Sequence, residues 1–113
     1  MGELRQREPR YENRKLLDLA HKVDRCQNCG SYPDSGCEPA HEEGLAAGKA
    51  MSTKSHDYRH AALCHACHVW YDSIRHGRDP SGDWSAAQRA FMFDRARERT
   101  FDIYWRNGWL KVT

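Results

Sequence analysis

The chain has 113 residues and a formal net charge of +2, from 18 Lys and Arg against 16 Asp and Glu. With a mean hydropathy of −0.96 and 39% hydrophobic residues, it has material for one small domain that needs a staple to fold. That composition excludes a strongly basic DNA-binding domain. No apolar run nears the ~20 residues that cross a bilayer, and five cysteines, an odd number, argue against a closed disulfide framework.

Residues 1–12 are polar and charged, with Pro9 breaking any early helix, and are expected to form a flexible basic arm. They lack the apolar stretch of a signal peptide, so a cytoplasmic, non-membrane protein is expected, in which paired thiols serve as metal ligands. The remaining residues, 13–113, are expected to form a single domain. Asn13 is placed to cap a short helix reaching about residue 20, with Leu16, Leu17 and Ala20 on one face. Residues 21–25 read as extended. The run Tyr32-Pro33-Asp34-Ser35-Gly36 reads as a turn, with 37–41 as the return strand of a hairpin. Residues 42–60 show neither helical nor strand period and read as a long loop, a feature that in a small domain points to function.

After Ala61-Ala62-Leu63, a helix is expected over 65–76 with Ala66, Trp70 and Ile74 on one face. Residues 77–83 break the chain. Ser85, with Gln88 three residues on, has the pattern of a capping box opening a long helix over about 85–106. Its stripe is read as Phe91, Ala96, Phe101, Ile103 and Tyr104. Asn107-Gly108 ends it, and 109–112 alternate like a final strand.

Two C-x-x-C turns carry the strongest chemical signal, Cys26/Cys29 and Cys64/Cys67. Each sets two thiolates on one tight turn, and together they fill a tetrahedral zinc shell with no open position. A thiol-oxidoreductase role would need one such pair at a helix start in a βαβ setting, which the chain lacks. Cys37 is left over and reads as a small buried residue, with an alternative ligand role. His68 and Asp72 are spaced i, i+4 on a helix, so an imidazole and a carboxylate can share one divalent ion; packing of His68 and solvation of Asp72 is the plainer alternative. His41 suits a general base near neutral pH, although a lone histidine is more often packed or merely exposed. Lys49 and Lys54 are candidate phosphate-binding point charges on the loop.

The order C-x-x-C, Ala40-His41, C-x-x-C-His68 resembles the HNH endonucleases in which a four-cysteine zinc site braces the ββα-metal motif. The run over 40–72, with Gly48-Lys49-Ala50-Met51, Lys54 and Ala61 to Asp72, is similar to small phage- and prophage-encoded HNH-like nucleases. The likeness covers about 14–76, with a core motif over 26–76. It implies an α+β fold: a small zinc-stapled ββα-metal domain with a short N-terminal helix and a long C-terminal one. It further implies a metal-dependent endonuclease acting on nucleic acid, most simply DNA, with structural Zn2+ and a catalytic Mg2+ or another divalent cation. His41 matches the family's base and His68 its last metal ligand. Two positions depart from the family: Ala40 replaces the Asp or His that precedes the base, and no Asn lies between Asn28 and Asn107 to orient it. Asp72 is the candidate replacement ligand, and Asp57, His56 or a backbone carbonyl the candidate orienter. The alternatives are a non-catalytic zinc-stapled DNA-binding or recombination accessory protein, and an adaptor using Trp84, Trp105 or Trp109.

Overall fold

Asn13 starts the ordered architecture. Its extended backbone (φ −150, ψ 94) and its side-chain oxygen, which accepts from the Leu16 N–H at 3.1 Å, cap helix α1, Arg14–Asp18. The computed structural model of the chain describes residues 9–42, 55–73 and 86–111. After α1 the chain tightens into a 3-10 turn, Leu19–Lys22, so the extended stretch expected over 21–25 begins only at Val23. Leu16 and Ala20, one turn apart, are buried with Val23.

Strand β1, Glu38–His41, pairs antiparallel with β2, His60–Leu63, in the register Glu38↔Leu63, Pro39↔Ala62, Ala40↔Ala61 and His41↔His60. The hairpin partner of β1 therefore follows it, and the segment before the 32–36 turn is not paired with it. The reason is local: that earlier segment spends its hydrogen bonds on the first thiol turn (Cys26 N–H to Ser31 O, 2.8 Å; Gly30 N–H to Cys26 O, 3.0 Å). Gly30 and Gly36, at φ +79 and +81, close their turns in the left-handed region. Pro39 costs the ladder nothing. Its partner Ala62 turns both backbone groups away from β1, accepting from Gln27 N–H and donating to Thr100 Oγ1.

Helix α2, His65–Ser73, leaves β2 directly. Its inward side is Cys67, Trp70 and Tyr71, whereas Ala66 is exposed. The phase expected from Ala66 and Trp70 is thus shifted, because Cys67 must turn toward the other thiols; Ile74 lies outside the described residues. Helix α3, Ala86–Arg106, packs on β2 through Phe93, Ala96, Thr100 and Tyr104, while Phe91 is 64% exposed. The expected stripe was therefore right at Ala96 and Tyr104 and wrong at Phe91. Thr100 belongs to the buried stripe because its hydroxyl donates to Ala96 O and accepts the Ala62 N–H. Ser85, the expected cap, lies outside the described residues. At the far end Gly108 N–H returns to Trp105 O and Trp109 N–H to Tyr104 O, a Schellman closure with Gly108 at φ +72. Residues 109–111 form no strand; Leu110 N–H also folds back onto Tyr104 O.

The result is an α+β arrangement in which a two-stranded sheet lies between helices. No helix among the described residues is long and apolar enough to cross a membrane. At its centre His60, fully buried, donates from Nδ1 to Asp57 O (2.6 Å) and accepts at Nε2 from the Tyr104 hydroxyl (2.9 Å). Burial lowers its pKa from 6.5 to about 4. The unfolded chain therefore takes up this proton first as pH falls. The contribution of neutral His60 is whole above pH ~6.5 and is lost progressively down to about 4, an effect of roughly 3 kcal/mol. Calorimetry should find the parent Tm falling through that window, and His60→Gln less stable at pH 7 but with a shallower decline. Parallel declines in the two proteins would contradict this role.

Candidate functional site

The two thiol turns converge. One sulfur each from Cys26, Cys29, Cys64 and Cys67 lies within 4.8 Å of all the others, and Cys29 Sγ to Cys64 Sγ is 3.8 Å. Four thiolates at ~2.3 Å from a tetrahedral zinc stand about 3.8 Å apart, so the cluster can hold a metal ion and its size is compatible with structural zinc. All five cysteines are free thiols. Donors already face the sulfurs: Ser31 Oγ lies 3.1 Å from Cys29 Sγ, and Asn28 Nδ2 donates to Cys67 Sγ at 3.4 Å. The Ser31 side chain and backbone lower the Cys29 thiol to about 6, whereas burial among the other sulfurs pushes the Cys67 thiol up. Cys37 differs. It is 1% exposed, and burial with repulsion from Cys26 and Cys64 pushes its thiol up to about 12. It sits as a buried neutral thiol, its carbonyl accepting from His21 Nδ1.

His41, the last residue of β1, donates from Nε2 to Asp57 Oδ1 at 2.9 Å. Asp57 is 3% exposed and, besides its carbonyl bond from His60, collects three further contacts: Arg10 Nη2 at 2.6 Å on Oδ1, the Asn13 N–H at 2.7 Å on Oδ2, and Tyr11 O accepting its own N–H. Burial opposes its charge, but the bonds from His41 and Asn13 and the Arg10 charge outweigh that and hold its carboxyl below the usual carboxylate range. Of the candidate orienters, Asp57 makes the contact. His56 instead accepts the Tyr11 N–H and stacks on Tyr58 at 5.1 Å. The arm expected over 1–12 is consequently not free at 10–11, where Arg10 also donates to Ser55 O. Residues 1–8 lie outside the described residues.

His68 stands in a second network. Its Nδ1 bonds Glu38, its Nε2 lies 3.4 Å from Asp72 Oδ2, and His65 Nδ1 reaches the same Glu38 carboxylate at 3.2 Å. Burial works against the Glu38 charge, yet the bonds from His68 and His65 win and its carboxyl is held low. Strand alternation sets Glu38 and Ala40 on one face of the hairpin and His41 on the other. The His41 and His68 networks therefore occupy different sides of β1. Glu38 is the residue that sequence reasoning missed. Its signal was available, since a residue two before Ala40 shares its face. Arg10 carried no such signal, because its contact to Asp57 spans 47 residues of chain. Lys49 and Lys54 lie outside the described residues.

Comparison with protein-family models, curated proteins and solved structures finds no match. Among the described residues, the four cysteines are the one group that brings three or more metal-ligating side chains together. Metal analysis should return about one zinc per chain, and Cys64→Ser should lose the metal with most of the folded structure, as zinc-stapled domains do. Cys37→Ala should keep the full zinc content. Less than half an equivalent of zinc in the parent, or loss of zinc on replacing Cys37, would refute the assignment.

Proposed function

We propose that this chain is a metal-dependent nuclease of HNH-like, ββα-metal type, hydrolysing phosphodiester bonds in nucleic acid, with DNA the simplest substrate. The single observation that carries the reading is His41 at the end of β1, held by the buried Asp57 carboxylate. An imidazole with Nε2–H fixed on a carboxylate presents Nδ1 as its basic nitrogen, as a general base for water requires. Arg10 and the Asn13 N–H hold Asp57 in turn, so the imidazole is positioned by a braced partner. Asp57 then does for His41 what an asparagine does in the family the sequence resembles.

Further support comes from the order of elements, an antiparallel strand pair followed by a helix that opens beside the second thiol turn. His68 and Asp72 would hold the divalent ion. Their exposure fits that role, with side chains 23% and 50% accessible, as does the Glu38 carboxylate on His68 Nδ1, the outer partner that a ligating histidine needs on its far nitrogen. When bound, such an ion supplies Lewis-acid stabilisation of charge on the phosphate oxygens. The protein's own residues orient the base and close the zinc-stapled frame around it.

One observation favours a second reading, a zinc-stapled DNA-binding protein without cleavage. His41 and the His68 network lie on opposite faces of β1, and Ala40 offers no ligand. The two readings part on one experiment. With Mg2+ or Mn2+ added, His41→Ala should lower DNA cleavage by about 10²–10⁴-fold while the zinc content stays at the parent level and the domain stays folded, and Asp57→Asn should give a smaller loss. A parent that binds but never cuts any duplex, branched or single-stranded DNA selects the second reading. Cleavage by His41→Ala at the parent rate would remove His41 as the base.

A further inference from the structure

The side of α3 turned away from β2 carries a second feature that the proposed chemistry does not use. An open cavity of about 380 Å³ lies between α3 and the first thiol turn, lined among others by Gln27, Asn28, Gln88, Phe91, Arg95 and Arg99. Phe91, Arg95 and Arg99 follow one another at four-residue spacing and so form one stripe, each about 6 Å further along the helix. Phe91 is 64% exposed, unusual for a ring beside a core helix. The Arg95 guanidinium lies 5.8 Å from its centroid, and Arg99 Nη1 reaches Gln27 O at 3.4 Å.

The sign of this groove is uniform. Neither Arg95 nor Arg99 makes an ion pair among the described residues. The helix's acids Asp94, Glu98 and Asp102 flank the stripe, Glu98 and Asp102 each three residues and about 60° around the axis from Arg95 and Arg99, but none lines the cavity. Asp102 is moreover taken by Arg106 at 2.7 Å. The opposite wall is firm: Gln27 N–H donates to Ala62 O of β2, and Asn28 Nδ2 bonds Cys67 Sγ of the thiol cluster.

A cationic stripe beside an exposed aromatic ring, with amides on the facing wall, has the parts that single strands need. Guanidinium groups neutralise phosphates, the ring offers a face to an unpaired base, and amides meet base edges or sugars. Duplex DNA would use the arginines but hide its base faces from Phe91. An acidic peptide would likewise leave the ring unused. We propose that this groove binds a segment of single-stranded nucleic acid, a base lying against Phe91 and neighbouring phosphates against Arg95 and Arg99. The groove shares its ligand class with the nuclease reading but needs neither His41 nor a catalytic ion.

The test is fluorescence anisotropy on the full, zinc-loaded chain without added divalent ion, so that cleavage plays no part. The probes are a thymidine 20-mer, a 20-bp duplex and a polyglutamate peptide, each titrated across a salt series. The parent should bind the 20-mer, and Phe91→Ala should weaken that binding by about 5- to 150-fold while leaving duplex binding as it was. Phe91→Trp should retain it. Replacing Arg95 and Arg99 together by Ala should lower the steepness of log affinity against log salt by about 1.4, some 0.7 for each phosphate that is no longer neutralised. Tm and zinc content of each variant guard against misfolding, and they should stay near the parent values because these side chains lie outside the core. The proposal falls if the parent ignores the 20-mer, if Phe91→Ala binds it as the parent does, if the double variant keeps the parent salt dependence, or if polyglutamate displaces the 20-mer at equal charge. Failure here leaves the His41 experiment untouched, and failure there leaves this one untouched.

Discussion

Four sulfurs brought within 4.8 Å of one another fix more of this protein than any stretch of its core. The first thiol turn precedes β1 and the second joins β2 to α2, so closing the cluster holds the hairpin, the start of α2 and one wall of the α3 groove together. A chain with this hydropathy buries too few large apolar groups to do that alone; among the described residues the buried set is rich in Ala and Cys, with only Leu63, Phe93, Tyr104 and a few others of any size. Metal binding in such a domain is in large part folding free energy. The separation of Cys37 from the quartet follows from the same logic. A fifth thiolate buried among four would add charge without a ligand position, and its raised pKa keeps it neutral.

Around this staple the small core is completed by polar groups that bond each other. Thr100 ties α3 to the Ala62 N–H, His60 ties Asp57 O to Tyr104, and Asp57 gathers His41, Arg10 and Asn13. Each buried donor or acceptor of this kind is costly if left unmatched and modestly favourable when matched. Such links specify how α3 and the N-terminal segment sit on the hairpin more than they add stability. Residues 10–13 become part of the domain through the Asp57 carboxylate together with bonds to Ser55 O, His56 Nδ1 and the Asp57 N–H.

How much of this was legible follows from which forces were local. The thiol quartet, the Asn13 cap, the helix over 65–73 and the Gly108 stop rest on short-range spacing, and the sequence carries them openly. The partner of β1 was not legible. A four-residue strand of Ala, Ala and Leu with a histidine has no alternation to read, because it is buried on both faces. The phase of α2 and the Phe91 position of the α3 stripe were misread for a related reason. Cys67 is committed to the thiol cluster, which sets the phase of α2, and Thr100 to a strand N–H, so a hydroxyl that hydropathy sends outward points inward and Phe91 is left outside. Glu38 and Arg10 meet their partners only across the fold, where no spacing rule reaches.

The hairpin also constrains any chemistry at this site. With an unbroken register from Glu38↔Leu63 to His41↔His60, the ladder cannot turn Glu38 and His41 to the same face. Only the end of β1 escapes that rule, since beyond His41 the chain is bound by the ladder through just the Glu42 N–H to Arg59 O bond. Glu38 opens β1 and His41 ends it, so under the proposed function the base and the His68 network lie on different faces and about 10 Å apart along the strand, and a nucleic-acid backbone reaches both only by passing round the strand's end. A strand end is where a backbone can be approached from both faces at once. That is why the position of His41 as the final residue of β1 matters more to the proposed chemistry than its contact to Asp57 would if it stood mid-strand.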